Sequence, residues 1–238
     1  MRSHPVVTIA FTLCALCALP SVSLAGGAGV EFGFQAGLDL ARTAYDPPAE
    51  LFQPTTLDND FRTVFGGGAT ISFTFTAPGS LSLESGLLLH MKGGKTRMTD
   101  QEYDWVQQEP YELKWNITWK FLYLSVPILA RVSIPAGRLK PYLKAGAAID
   151  ILLSAELNTE STSPYGKITA EEDIKDDTTP FDIGLIAGAG VELPLARVSP
   201  FVEVTYCHGL IDIIDPENTK YNVKGHNRVI GVMTGVRF

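Results

Sequence analysis

Ten charged residues alternate with apolar ones along the chain: Glu31, Asp39, Glu84, Lys92, Lys144, Asp150, Asp182, Glu192, Glu203 and Arg237. In extended chain successive side chains point to opposite faces, so each charge lies on the face away from its apolar neighbours. If that face is enclosed, carboxylates and bases held there must pair, because isolated buried charges are too costly. Glu84, Lys144, Asp150, Asp182, Glu192, Glu203 and Arg237 are therefore expected to form a salt-bridge network, with Lys144 and Arg237 as its hubs. An ion path or gate is the functional reading of the same residues.

Other chemistry is thinly supplied. Beyond residue 25 the histidines are His90, His208 and His226. A hydrolase needs a histidine held within reach of a serine, threonine or acid. His208, with Thr205 three residues before it, is the best pairing on offer, and contact with lipid headgroups is its plainer role. No metal-ligand spacing occurs. Glu156, Glu160, Glu171, Glu172, Asp173, Asp176 and Asp177 concentrate oxygen ligands in one segment, yet lack the ordered spacing and glycine of a calcium loop; a solvated loop is the plainer reading. No cofactor site is indicated.

The elements that position these residues are strands. Val30–Ala41 sets Val30, Phe32, Phe34, Ala36, Leu38 and Leu40 against Glu31, Gly33, Gln35, Gly37 and Asp39. The same alternation recurs over Arg62–Thr76, Leu81–Lys92, a segment starting near Leu113, Pro141–Leu153, Pro180–Leu193, Val198–Leu210 and Asn227–Phe238. In the fourth strand the apolar parity changes from Trp115, Ile117, Trp119 and Phe121 to Leu122, Leu124, Val126 and Ile128. Period two cannot change face unaided, so a bulge is expected near Lys120–Leu122. Short turns carrying proline (Ala77–Ser80, Pro135–Gly137, Pro194–Arg197) alternate with long polar segments, among them Gly93–Glu112 and Ser154–Thr179.

The pattern predicts an all-β fold: an eight-stranded antiparallel up-and-down transmembrane β-barrel with short periplasmic turns and long extracellular loops. A soluble barrel with its apolar face inward is the rival. Three features oppose it: glycine crowds the less apolar face, aromatics (Phe32, Phe34, Phe65, Trp115, Trp119, Phe181, Tyr206, Phe238) gather at strand ends as membrane girdles do, and loop lengths alternate throughout.

Targeting fits. Arg2, an apolar run over Val6–Leu19 and Ser23-Leu24-Ala25 make a signal peptide cleaved after Ala25, leaving residues 26–238 as one barrel domain. Cys14 and Cys17 fall in that leader and Cys207 stands alone, so no intramolecular disulfide is expected. One of the 19 basic residues, Arg2, leaves with the leader; 18 remain against 26 acids, a net charge of −8. That balance argues against nucleic acid as a partner.

YLSVPILARV (Tyr123–Val132), RLKPYLKAGAAI (Arg138–Ile149), GAGVELP (Gly188–Pro194), SPFVEVTYCHGL (Ser199–Leu210) and the glycine-spaced end at Phe238 resemble the PorT-like outer-membrane β-barrel proteins. The resemblance spans about Gly29–Phe238. Ser125, where an acid is expected before the proline, and the acidic segment 154–179 depart from it. It implies insertion into a Gram-negative outer membrane by the assembly machinery, which recognises a terminal strand ending in an aromatic, here Phe238. It implies no catalytic residues. The expected role is non-enzymatic, structural or surface-interacting through the outer loops, with outer-membrane lipid around the barrel. An anchor subunit for envelope or secretion partner proteins is one alternative; a lipid-modifying enzyme using His208 is another.

Overall fold

The computed structural model describes residues 22–23, 29–46, 56–75, 81–134, 136–213 and 224–238. Eight strands form its framework: β1 Gly29–Asp46, β2 Arg62–Thr74, β3 Leu81–Asp104, β4 Glu109–Ser133, β5 Lys140–Ser163, β6 Phe181–Glu192, β7 Ser199–Gly209 and β8 Lys224–Arg237. Each pairs antiparallel with the next, and β8 closes on β1 from Lys224 opposite Asp46 to Arg237 opposite Gly33. The sheet is a closed ring of eight, the form a β-sheet needs in order to span a bilayer. The proposed cleavage site after Ala25 lies outside the described residues; Val22 and Ser23 pair with Val30 and Gly29.

The expected two-face division runs around the ring. Leu87, Leu143 and Val202 are 59%, 62% and 55% exposed, while Glu84, Lys144 and Glu203 on the opposite parity are at most 4% exposed. Glycine makes the interior narrow enough to fill. A Cβ at Gly190 would meet the Tyr142 ring at 2.5 Å and Glu203 at 2.8 Å. A Cβ at Gly66 would strike His90 Nδ1 at 2.6 Å and Asp39 Oδ2 at 2.8 Å.

Three strands outgrow the length that crossing a bilayer requires. β3, β4 and β5 have 24, 25 and 24 residues, whereas a tilted spanning strand needs about 9–11. The segment Gly93–Glu112 is therefore a paired hairpin rather than a loop: β3 and β4 stay in register to Asp104 opposite Glu109, and Trp105–Gln108 turns the chain. Asp104 fastens that turn, its carboxylate accepting from Val106 N at 2.7 Å and Gln107 N at 3.1 Å. The acidic segment Ser154–Thr179 is likewise structured. β5 runs on to Ser163, returns as a short strand Gly166–Asp173 and ends in a 3₁₀ turn at Lys175–Asp177. With Thr56–Asp60 paired on β3, these pieces make a five-stranded sheet standing above one rim.

The bulge also moves. It lies at the expected height, between Leu122 and Tyr123 in the pairing, but the extra residue is Leu153 on β5. Tyr142, Lys144, Ala148, Asp150 and Leu152 are buried on even positions, and Ala155 is buried on an odd one. β4 keeps one parity throughout. Its apolar residues change face because the interior changes character near the outer rim. There Phe121, Tyr123, Leu152, Ala155, Ile174 and Ile213 cluster, with Trp119 and Leu157 packed on them. Trp119 thus belongs to an apolar plug inside the barrel and not to a lipid-facing girdle.

Candidate functional site

Six successive strands each send one charge into the lower interior, near the short turns: Glu84 from β3, Arg131 from β4, Lys144 from β5, Glu192 from β6, Glu203 from β7 and Arg237 from β8. Lys144 Nζ reaches Glu203 at 2.6 Å and Glu84 at 3.1 Å. Arg237 bridges Glu84 and Glu192, at 2.9 Å each. Arg131 closes the chain on Glu192. Tyr142 donates its hydroxyl to Glu203 at 2.8 Å, and its ring lies 4.0 Å from the Arg131 guanidinium. Arg237 stacks 4.0 Å over Phe201. Three acids face three bases, so the cluster is neutral when all are ionised, and their side chains are no more than 2% exposed.

Asp150 and Asp182 belong to a second group higher in the barrel. Lys92 Nζ binds Asp150 at 2.6 Å and Asp182 at 3.3 Å, and lies 4.9 Å from the Tyr123 ring. Asn227 donates to Asp182 at 3.4 Å and accepts from Thr43 at 3.2 Å. Asp39 meets His90 Nδ1 at 3.1 Å. A cavity of about 50 Å³ separates the two groups. Gln35 Oε1 and Asp150 Oδ1 border it without a protein donor. Water needs roughly 10–15 Å³ per molecule, so the space suits a few waters bridging these acceptors.

The seven network residues named from sequence thus fall into two clusters. Lys144 and Arg237 each hold two carboxylates. Arg131 and Lys92 complete the clusters, and Arg131 was hidden by its apolar surroundings, although it shares the parity of Tyr123 and Leu129. Phe238 sits at the seam where the ring closes: it exchanges backbone hydrogen bonds with Phe32 at 2.8 and 3.3 Å, and its ring packs edge-on against Phe34 at 6.5 Å.

The His208–Thr205 pairing does not form. His208 faces outward beside Tyr206, its Nδ1 3.4 Å from the phenol oxygen, whereas Thr205 faces the interior with the cavity. The two cannot act together. Among the described residues no three His, Cys, Asp or Glu side chains are arranged to hold a metal ion. The acids of segment 154–179 spread along their hairpin: Glu156 and Glu171 share Lys120, and Glu160 pairs with Lys167. In the outer hairpin Tyr111 donates to Glu102 at 3.0 Å, which raises the phenol pKa.

A family model described as an outer membrane protein beta-barrel domain matches residues 21–215. The chain belongs to that family. Solved structures show similar folds at low identity. Neisserial surface protein A is 14% identical, with 87% of this chain and 95% of that one covered and a TM-score of 0.40. For OprG from Pseudomonas aeruginosa the values are 13%, 87%, 95% and 0.42. For the outer membrane protease OmpT from Escherichia coli they are 12%, 91%, 98% and 0.38. No curated protein sequence matches. As a member of the outer membrane barrel family, the chain presents its leucine-, valine- and phenylalanine-bearing rows to lipid and keeps its ion pairs inside.

Proposed function

We propose that this is a non-enzymatic, PorT-like surface-interaction protein, in which a filled barrel anchors an outer sheet that meets a partner. One observation carries the reading: the β3–β4 hairpin projects past the rim and ends on Trp105 and Val106, which are 84% and 92% exposed. Tyr103 packs edge-on against Trp105, ring centroids 5.0 Å apart. A barrel that only needed to close would gain nothing from so long a paired extension with apolar residues at its tip. Exposed aromatic anchors of this kind dominate binding energy at protein interfaces. Asp100, Glu102, Asp104, Glu109 and Glu112 surround the tip in sequence, which suits a partner with a basic rim and discourages the hairpin from folding back onto anionic headgroups.

A photo-crosslinking amino acid at position 105 in intact cells tests this. The expected result is a discrete protein adduct that disappears when Val106 is also changed to Ser. Adducts from position 197, in the opposite turn, with none from 105, would refute the surface reading and favour an anchor subunit of an envelope complex.

A further inference from the structure

Three adjacent strands end their lipid-facing apolar rows on a base at one height. Outward positions on β1 run Ala36, Leu38, Leu40 and then Arg42; on β8 they run Val232, Ile230 and then Arg228; on β7 they run Val204, Tyr206 and then His208. The register sets the three side by side, His208 opposite Arg228 and Arg228 opposite Arg42. Directly opposed residues on one face have Cβ atoms roughly 4.5–5.5 Å apart, and like charges there repel.

Several other bases toward this end are neutralised, although Arg62 donates to the Trp119 carbonyl at 3.3 Å instead. Arg97 has Asp60, Lys114 has Glu112, and Lys120 has Glu156 and Glu171. Among the described residues, no carboxylate pairs with Arg42 or Arg228. Arg42 instead leans over the Phe61 ring at 5.8 Å, and its buried Nε has no hydrogen-bond partner. His226, the next outward residue above Arg228, is already bound to Asp212 at 3.3 Å. His208 is steadied through Nδ1 by Tyr206, which leaves Nε2 uncommitted.

Two facing arginines at the border between hydrocarbon and headgroups are stabilised by an anion placed between them. Guanidinium groups match phosphate oxygens with paired donors. We propose that Arg42, Arg228 and His208 form a site for the phosphate monoester of an outer-leaflet lipid headgroup. The apolar rows directly beneath the three bases are what select a lipid over a free ion: they give acyl chains a surface to lie on while the phosphate is held.

Native mass spectrometry of the detergent-solubilised full chain tests the proposal, with bisphosphorylated lipid A, its dephosphorylated form and inorganic phosphate as probes. Arg42→Gln/Arg228→Gln should lower retention of bisphosphorylated lipid A by about tenfold or more, as loss of a bidentate phosphate contact implies. Both proteins should hold the dephosphorylated lipid equally weakly. Equal retention of the phosphorylated lipid by variant and wild type would overturn the site. Displacement of that lipid by millimolar inorganic phosphate would overturn its assignment to a lipid. In lipid-free detergent the variant should unfold at no lower a temperature than wild type, since a repulsion has been removed. A clear drop would show the arginines to be structural and defeat the proposal.

Discussion

Replacing Arg237 with methionine should lower the barrel's unfolding free energy in detergent by about 3–5 kcal/mol, the usual cost of stranding a buried ionic partner. Arg237 touches both Glu84 and Glu192. Without it, Glu84 keeps only Lys144, and Glu192 keeps only Arg131. The lower cluster would then hold three acids against two bases in a site closed to bulk solvent. Methionine preserves much of the contact with Phe201, so the loss reports charge more than volume. The double variant Arg237→Met/Glu84→Gln restores neutrality and should recover a substantial part of the loss. Urea titration followed by the gel shift between folded and unfolded barrel measures both. A single variant as stable as wild type, or a double variant merely additive, would show that the pairs do not act as a unit.

Lys92→Met should cost at least as much, about 3–5 kcal/mol on the same reasoning. Here one cation holds two carboxylates, Asp150 and Asp182, which lie opposite each other across β5 and β6. Removing the ammonium leaves two like charges facing each other in a buried site. Changing both carboxylates to Asn in the Lys92→Met background should return most of the stability, because neutral amides need no counter-ion. The same urea titration reads this series. Failure of the neutral triple variant to outperform Lys92→Met would assign the loss to packing against Tyr123.

Where lipid demands an apolar face, strands are legible as period-two alternation, and β1, β6, β7 and β8 lie close to where the sequence places them. The outer halves of β3, β4 and β5 are not legible in this way. Above the rim both faces meet water, so Lys95–Glu112 has no reason to alternate strongly and reads as a loop, although its backbone is paired on both sides of the Trp105–Gln108 turn. The plug misleads differently. Phe121 and Trp119 are apolar because they fill the mouth, and an apolar residue in a barrel strand looks lipid-facing until its parity is fixed by neighbours such as Tyr123 and Arg131. Leu153 carries no signal as a bulge; its role emerges only from the register with Leu122 and Tyr123. Apart from Arg131, the charged interior is visible residue by residue, but its division into two clusters depends on the strand stagger, which no local pattern records. The Arg42–Arg228 opposition needs that same stagger.

The central claim is that the glycine- and charge-bearing face is the inside and the aliphatic face meets lipid. Nitroxide labels placed singly at Leu87 and Val232, in a Cys207→Ser background reconstituted into lipid nanodiscs, test it most directly. Spin relaxation should report strong collisions with oxygen dissolved in the hydrocarbon and few with a water-soluble nickel chelate at both positions. Labels shielded from both reagents would place these residues in a sealed interior, and labels open to the chelate would place them in water; either result would contradict the account.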